Sequence, residues 1–355
     1  MTPAELSRTV LRAVRRAVDD GELDVAVCGA EQRVVVERSR PGGRGDYATN
    51  VALQLARPAG RPPRQVAEIL SRRLGDSPGI TDVAVTGPGF LNFSLTGPGA
   101  APAALVAEIL RAGHQYGYAD GDTGRLVRLH APHEVRAVVV MEVVADLLRS
   151  QGALVRTSCA ERPRPEWVDV LGVTADLRRD TSDAPDAEHV TLRPVPAPAD
   201  PLPLGRDAAR WALLHPAGHD HPRVDERHLA QRESNPLFRV QYAHARTRAL
   251  TRNAARLGFD AAPGDVEEYR DLLAALEDHP RILRSAAEHH APDRLARHLV
   301  GVADAFLADL HPYVLPQGEE KPSAAHRARL ALAEAVGTVL AGGLTLLGID
   351  APAHV

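Results

Sequence analysis

The sequence predicts an α+β and all-α multidomain chain, in which an N-terminal α+β module and a C-terminal helical bundle flank a short strand–turn–helix unit. Three observations predict this arrangement. Helical patterns alternate with β-rich runs at the start of the chain, which is typical of one α+β domain. The stretch LVRLHAPHEVRAVVVMEVVADLLRSQG follows as a strand, an abrupt turn and a long helix, and the rest is mainly helical. The predicted boundaries are 1–115, 120–205 and 206–355.

The N-terminal module is predicted to contain four helices and three strands. The helices are expected over residues 3–20, from about Asp46 through DYATNVALQLA, in RPPRQVAEILSRRL with prolines in its first turn, and over 100–113. The strands are expected in VVVERSR, at 34–40, and in the two halves of ITDVAVTGPGFLNFSL on either side of a Gly-Pro-Gly turn.

The middle of the chain is short and rich in proline. After the strand–turn–helix unit, residues 160–205 lack helix signals and predict a linker or a set of edge strands. The whole region of 120–205 is also much shorter than the roughly 200 residues that a doubly wound nucleotide-binding fold needs. The turn after its first strand contains no glycine, so the sequence offers no ordinary phosphate-binding loop there.

The C-terminal bundle begins with GRDAARWALLHP. Its longest predicted helix starts at Asn235 as N-cap, has Pro236 at the first helical position and closes at Gly258. Further helices are expected at the positions 265–277, 279–289, 292–311 and 323–347.

Composition excludes several classes of protein. The chain has 355 residues and a net charge of −4, and its two cysteines, Cys28 and Cys159, are too far apart in sequence to indicate a disulfide framework or a cysteine metal site. No stretch approaches the ~18 uncharged apolar residues of a membrane span, and the N-terminus is charged and amphipathic, so a cytoplasmic protein without a membrane partner is expected. The three histidines of HPAGHDHP, at 215–222, are interpreted as a polar loop rather than a metal site.

Positive charge is concentrated around the predicted helix at 235–257. Residues 227–256 contain seven arginines and one acid, Glu233. At ~100° per residue, Arg239, Tyr242 and Arg246 fall on one side of the helix, which suits stacking on an unpaired base with phosphates on either side. The alternative is a solvated helix face whose tyrosine packs against a neighbour.

Three long stretches resemble the arginyl-tRNA synthetase family. GRDAARWALLHPAG and ESNPLFRVQYAHARTRALTRNAARLG resemble the junction into its anticodon-binding bundle, and VLPQGEEKPSAAHRARLALAEAVGTVLAGGLTLLGIDAP resembles its C-terminal end. GDYATNVALQLARPAGRPPRQVAEIL and GPGFLNFSL resemble its N-terminal module. The resemblance implies a tRNA-elbow module, a reduced Rossmann-like remnant of the catalytic domain, and a helical anticodon-binding (DALR-type) bundle.

The resemblance also implies a contact with the D-loop of tRNA. The family uses an aromatic-x-Asn pair on a β-turn, and GPGFLNF supplies Phe90 and Asn92 at that spacing. The aromatic ring would stack on a base while the carboxamide contacts the edge of that base. The alternative is that Phe90 belongs to the core and Asn92 caps the turn.

The sequence departs from the family where ATP would bind. Class I synthetases hold the ATP phosphates with a glycine-containing turn of the HIGH type and the helix after it. Here Pro132 is followed directly by His133. The segments HAP, which begins at His130, and HEVR therefore resemble the two flanks of that turn, and the centre of the turn is missing. Glu134 would add a negative charge beside the phosphates. The lysine of the KMSKS-type signature also has no equivalent, since the only lysine is Lys321, in the bundle.

These departures predict no catalytic residue, no metal and no cofactor. The expected function is binding of tRNA, with arginine tRNA as one candidate, without aminoacylation, and the strand–turn–helix unit would then serve to space the two tRNA-contacting ends. Replacing Arg239 and Arg246 by alanine is expected to weaken binding several-fold and to reduce its salt dependence by about one to two phosphate contacts. The alternatives are residual arginine–tRNA ligase activity, a partner subunit of a full-length synthetase or another enzyme, and presentation of a charged tRNA to another enzyme.

Overall fold

The computed structural model describes residues 3–24, 34, 36–38, 45–75, 77, 79–95, 100–173 and 187–355. The chain forms two compact units, Met1–Leu105 and Val106–Val355. Cys28 lies outside the described residues, and Cys159 is a buried free thiol.

The first unit contains an antiparallel sheet covered by helices. In chain order its elements are α1 Pro3–Asp19, β1 Val36–Arg38, β2 Tyr47–Thr49, α2 Val51–Ala56, α3 Pro63–Leu74, β3 Ile80–Thr86 and β4 Phe90–Leu95. The four strands lie in the order β1-β2-β4-β3, with every neighbouring pair antiparallel. Leu91 and Phe93 of β4 point to the same side of the sheet, because side chains alternate along a strand, and they share one core with buried apolar residues of α1, α2 and α3. The predicted β-hairpin and the helices over 3–20 and RPPRQVAEILSRRL are confirmed.

The helix predicted from about Asp46 is wrong at its beginning. Residues Tyr47–Thr49 form strand β2, which pairs with β4, and the helix starts only at Val51. Tyr47 and Thr49 are buried on the same face of the sheet, and the Thr49 hydroxyl accepts a hydrogen bond from the backbone nitrogen of Val51 at 3.4 Å. Pairing with β4 therefore outweighs the helical pattern of the alanine-rich segment. Of the predicted strand at 34–40, positions 35, 39 and 40 lie outside the described residues.

The second unit begins within α4 Ala100–Ala112 and contains a small parallel sheet. Its elements are β5 Leu126–Ala131, α5 Val135–Ser150, β6 Leu154–Cys159, α6 Pro165–Leu171 and β7 Glu188–Thr191. The strand order is β6-β5-β7, and both pairs are parallel, with α5 as the crossover between β5 and β6. The predicted strand–turn–helix unit is confirmed. Within the range 160–205, positions 174–186 lie outside the described residues. The described part contains the edge strand β7, in line with one predicted alternative, and the helix α6, which was not predicted and whose Trp167 and Leu171 are buried.

The rest of the second unit is a helical bundle. Its main helices are α7 Gly205–Leu214, α8 Pro236–Arg256, α9 Arg270–Glu288, α10 Pro292–Ala305 and α11 Ala324–Leu346, and a short π-helical segment, Phe306–Leu310, follows α10. The predicted start of α8 is confirmed, since the Asn235 side chain accepts a hydrogen bond from the backbone nitrogen of Leu237 at 3.1 Å. Its predicted end is also confirmed, with Gly258 at a φ of 77°.

The two helices predicted around position 278 are one helix. Pro280 lies inside α9, where it cannot donate the backbone hydrogen bond that the carbonyl of Leu276 would normally accept. The Tyr116 hydroxyl donates to that carbonyl instead, at 3.2 Å. Gly117 lets this segment approach, since a Cβ there would lie 3.0 Å from the Cα of Pro280. A donor from a distant part of the chain thus allows α9 to continue through a proline.

One helix among the described residues, α11, is long and apolar enough by length and composition to cross a membrane. In its most apolar window, 78% of the residues are buried inside the protein. This burial is typical of the core helix of a bundle.

Candidate functional site

The N-terminus of α5 is occupied by a side chain of the protein itself. Glu134 is the N-cap residue, and its carboxylate accepts hydrogen bonds from the backbone nitrogens of Arg136, at 3.1 Å, and Ala137, at 2.8 Å. The same carboxylate also accepts one from Ala197, at 3.3 Å. These N–H groups at the start of a crossover helix are the ones that hold phosphate in nucleotide-binding folds. A carboxylate therefore takes the position that an anionic ligand would need.

The three predicted residues of the degenerate nucleotide site lie together at the carboxyl end of β5. His130 Nδ1 lies 3.0 Å from the Ser158 hydroxyl of the neighbouring strand. The carbonyl of Pro132 accepts a hydrogen bond from the backbone nitrogen of Glu134 at 2.8 Å. The ring of His133 packs on Trp167, with 4.9 Å between ring centroids. This edge is where parallel α/β sheets bind ligands, but here each of the three residues contacts a neighbouring element.

Arg136 is a structural residue that the sequence pattern did not predict. Its guanidinium is fully buried and donates five hydrogen bonds to backbone carbonyls. The acceptors are Leu213 at 2.9 Å, Val195 at 2.7 Å, Asp220 at 2.8 Å, Pro216 at 3.1 Å and Ala217 at 2.9 Å. Burial lowers the pKa of Arg136, and the nearby acids, Glu134 first among them, oppose that shift. The one sequence signal was a single arginine within the apolar run VRAVVVM.

The hydrogen bonds of Arg136 explain the histidine-rich loop at 215–222. Three of the five acceptors belong to that loop, so its backbone is arranged around a buried cation. His215 stacks on Trp211, whereas His219 and His221 are exposed. Among the described residues, there is no group of three or more histidine, cysteine or acidic side chains that could hold a metal ion. The loop is therefore part of the framework around α5.

The solvent-facing side of α8 carries a stacked aromatic pair whose two residues are partly exposed. Tyr242 stacks on Phe238, with 5.6 Å between ring centroids, and the guanidinium carbon of Arg246 lies 5.8 Å from the centre of the Tyr242 ring. The structure thus brings together Tyr242 and Arg246, as predicted, and it places a second aromatic ring, that of Phe238, beside Tyr242. The spacing of Phe238 and Tyr242, four residues apart in a helix, would have been enough to find this pair.

Two of the predicted arginines are held by the C-terminal end of α10 and by the segment that follows it. Arg239 forms an ion pair with Asp304 at 3.2 Å. Arg246 Nε donates a hydrogen bond to His311 Nε2 at 2.9 Å. Burial, together with the charge of Arg246, lowers the pKa of His311, so its imidazole remains neutral and can accept this bond. Arg239 and Arg246 therefore fix the aromatic face in addition to presenting positive charge.

The predicted D-loop pair lies at the start of β4. Phe90 is 40% exposed, whereas Asn92 is buried at 7% exposure. Asn92 Nδ2 donates to the Thr86 hydroxyl at 2.6 Å and to the carbonyl of Ala84 at 3.4 Å. The two residues share one face of the strand, since they are two positions apart. The Phe90 ring is accessible, and the amide group of Asn92 joins the two strands of the hairpin.

Two family models match this chain in order. Residues 5–95 match the arginyl tRNA synthetase N terminal domain, and residues 240–355 match the DALR anticodon binding domain. Curated proteins named arginine–tRNA ligase from Paenarthrobacter aurescens (strain TC1) and Frankia alni are 26% and 27% identical, over 99% of this chain and 100% of their own length. The first of these alignments has 555 positions against 355 residues here, so about 200 positions of the relative have no counterpart in this chain.

Solved structures show the same fold. The arginyl-tRNA synthetase of Thermus thermophilus matches 100% of both chains with a TM-score of 0.62 at 15% identity. A putative arginyl-tRNA synthetase from Campylobacter jejuni matches 71% of this chain and 99% of its own, with a TM-score of 0.51 at 12% identity. Both terminal domains, the end-to-end alignments and the fold thus agree with the resemblance, and the chain belongs to the arginyl-tRNA synthetase family.

Proposed function

We propose that this protein binds tRNA and does not attach arginine to it. The observation that carries this proposal is the carboxylate of Glu134 on the first N–H groups of α5. In class I synthetases, the helix after the HIGH-type turn holds the phosphates of ATP there. A carboxylate in that position excludes a phosphate by its volume, and repels it by its charge.

The reduced middle region supports the same proposal. The parallel sheet has three strands among the described residues, and about 200 positions of a curated relative have no counterpart in this chain. The only lysine, Lys321, is exposed in the loop before α11. Lysine-assisted stabilisation of charge during adenylate formation therefore has no candidate residue near β5.

The two terminal domains supply the proposed tRNA contacts. In the bundle, Tyr242 with Phe238 stacks on an unpaired base of the anticodon arm, while Arg239 and Arg246 flank it with positive charge. In the N-terminal unit, Phe90 stacks on a D-loop base and Asn92 positions that ring through the hairpin. The protein would act in the cytoplasm, on arginine tRNA or another tRNA that presents similar loops.

The deciding experiment is to purify the protein at low salt, extract the bound nucleic acid and sequence it. Enrichment of one or a few tRNAs is the expected result. Bulk RNA without enrichment, or no RNA, would contradict the proposal. Recovery of a stoichiometric protein in place of RNA would instead favour a partner subunit of another enzyme.

A second candidate function is arginine–tRNA ligase activity, which the names of the curated relatives favour. Exchange of pyrophosphate into ATP in the presence of arginine and total tRNA tests it directly, because that exchange reports formation of the adenylate. We expect no exchange above a blank without protein. Exchange that needs both arginine and this protein would overturn the non-catalytic proposal.

A further inference from the structure

The exposed face of α8 has two chemically different halves. Its N-terminal half carries the stacked pair Phe238 and Tyr242. Its C-terminal half carries Arg248, Arg252 and Arg256, of which the first and last are exposed and the middle one is partly exposed. These arginines are four residues apart, so they form a stripe about 12 Å long on one side of the helix.

Within the part of the chain that the structure describes, the charge of this stripe is not neutralised by ion pairs. Arg248, Arg252 and Arg256 have no carboxylate within ion-pair distance among the residues that the structure describes. Arg239 differs, since it is paired with Asp304, and Arg246 is bound to His311. Three guanidiniums thus remain available on a chain whose net charge is negative.

Glu334, the acid that interacts electrostatically with Arg248, is engaged by a different residue of α8. Glu334 of α11 accepts a hydrogen bond from the Thr251 hydroxyl at 3.1 Å, and burial raises its pKa. Arg248 stabilises the charge of Glu334 at a distance, while Asp260 opposes it. Glu334 is therefore engaged with α8 from the buried side, and the exposed side of the stripe faces solvent.

We infer that Arg248, Arg252 and Arg256 form a binding track for the sugar–phosphate backbone of the RNA whose unpaired bases stack on Phe238 and Tyr242. This inference rests on the proposed function and deepens it by separating the contacts to bases from the contacts to phosphates. Guanidinium groups suit phosphate because they donate two parallel hydrogen bonds. The adjacent aromatic pair, whose rings are partly exposed, indicates RNA rather than an acidic protein, because aromatic rings at a surface stack on unpaired bases.

The test compares two triple variants in binding of total tRNA across a salt series. The first is Arg248→Gln, Arg252→Gln and Arg256→Gln, a change that keeps helix propensity and removes three charges. The matched control is Arg125→Gln, Arg149→Gln and Arg281→Gln, which removes three arginines of the same unit that are already ion-paired, to Glu188, Asp146 and Asp278. Circular dichroism and thermal unfolding confirm that both variants fold.

The stripe variant is expected to raise Kd about tenfold and to reduce the slope of log K against log salt by about two to three, while the control changes both much less. Tight wild-type binding with equal effects of the two variants would overturn this inference and leave the proposed function intact. Wild-type protein that binds no tRNA at any salt concentration would overturn both. If the stripe variant kept its affinity for tRNA but no longer bound a protein that co-purifies with the wild type, the stripe would be a protein-binding surface and the inference would be wrong.

Discussion

Oε2 of Glu134 lies 2.8 Å from the backbone nitrogen of Ala137, so a carboxylate caps α5 where a nucleotide phosphate would otherwise bind. Replacing Glu134 by alanine removes this cap and is expected to lower the free energy of unfolding by about 1 kcal/mol, without creating pyrophosphate exchange. Urea unfolding measures the loss. Glu161→Ala is the control, because that carboxylate is 75% exposed. Equal stability of the two variants would show that Glu134 does not act as a cap.

The hydroxyl of Tyr116 replaces the donor that Pro280 lacks in α9. Tyr116→Phe keeps the ring and removes the hydroxyl that donates this hydrogen bond, so it is expected to destabilise the protein by about 1 kcal/mol. Tyr118→Phe provides the comparison, since its hydroxyl has no hydrogen-bond partner among the described residues. Thermal unfolding of both variants tests the prediction, which fails when Tyr116→Phe is as stable as the wild type.

Two buried histidines are expected to make the bundle sensitive to acid. His279 and His298 lie with their ring centroids 5.2 Å apart between α9 and α10. Burial lowers the pKa of His298 to about 4, and it lowers the pKa of His279 well below its ordinary value. Between about pH 6.5 and pH 4, the imidazoles are protonated in the unfolded chain but stay neutral in the folded chain. The free energy of unfolding therefore decreases as the pH falls from about 6.5 toward 4.

His298 is expected to lower the free energy of unfolding by on the order of 2 kcal/mol between pH 7 and pH 5. Urea unfolding at several pH values measures it. His298→Phe keeps a planar ring without a titrating group, so its stability should fall less over this range than that of the wild type. His221→Phe changes an exposed histidine and should follow the wild type. Parallel pH profiles for all three proteins would contradict the prediction.

The aromatic pair on α8 should contribute to RNA affinity without contributing to its salt dependence. Tyr242→Ala removes one stacking ring and is expected to weaken tRNA binding by about 1–3 kcal/mol with an unchanged salt slope, because stacking releases no counterions. Tyr242→Phe keeps the ring and should bind as the wild type does. A filter-binding series with both variants tests this, and an Ala variant that alters only the salt slope would rule out base stacking at Tyr242.

Substitutions of Phe90 and Asn92 should have different effects: one on tRNA affinity and the other on protein stability. Phe90→Ala alters a partly exposed ring, so a loss of tRNA affinity with little loss of stability is expected. Asn92→Ala removes the hydrogen bonds to Thr86 and Ala84 and should lower the stability of the N-terminal unit by about 1 kcal/mol. Binding assays and thermal unfolding on the same samples measure both effects. Unchanged affinity of a folded Phe90→Ala variant would exclude the predicted D-loop contact.

Local signals predicted much of the secondary structure. Asn235 and Gly258 mark the ends of α8 because capping depends on residues within one turn of the helix end. The secondary-structure predictions were wrong where contacts with residues far away in the sequence determine the backbone conformation. Strand pairing with β4 made Tyr47–Thr49 extended, and a hydroxyl 160 residues away allowed α9 to pass through Pro280.

The candidate site divides in the same way. The arginine-rich helix with Tyr242 and the lack of a glycine turn before α5 were visible in the sequence, because composition and spacing carry them. The sequence did not show which arginines have a partner inside the protein, because Asp304 and His311 come close to α8 only when the bundle packs.

The sequence by itself determined the order of the modules, the family resemblance and the limits of most helices, since these depend on periodicity and on residues close together in the chain. Tertiary structure alone decided that Glu134 fills the N-terminus of α5, that Arg136 holds the histidine loop and that three arginines of α8 remain available. The physical reason is that hydrogen bonds and ion pairs need partners within about 3–4 Å, and only packing brings residues that are far apart in sequence to that distance.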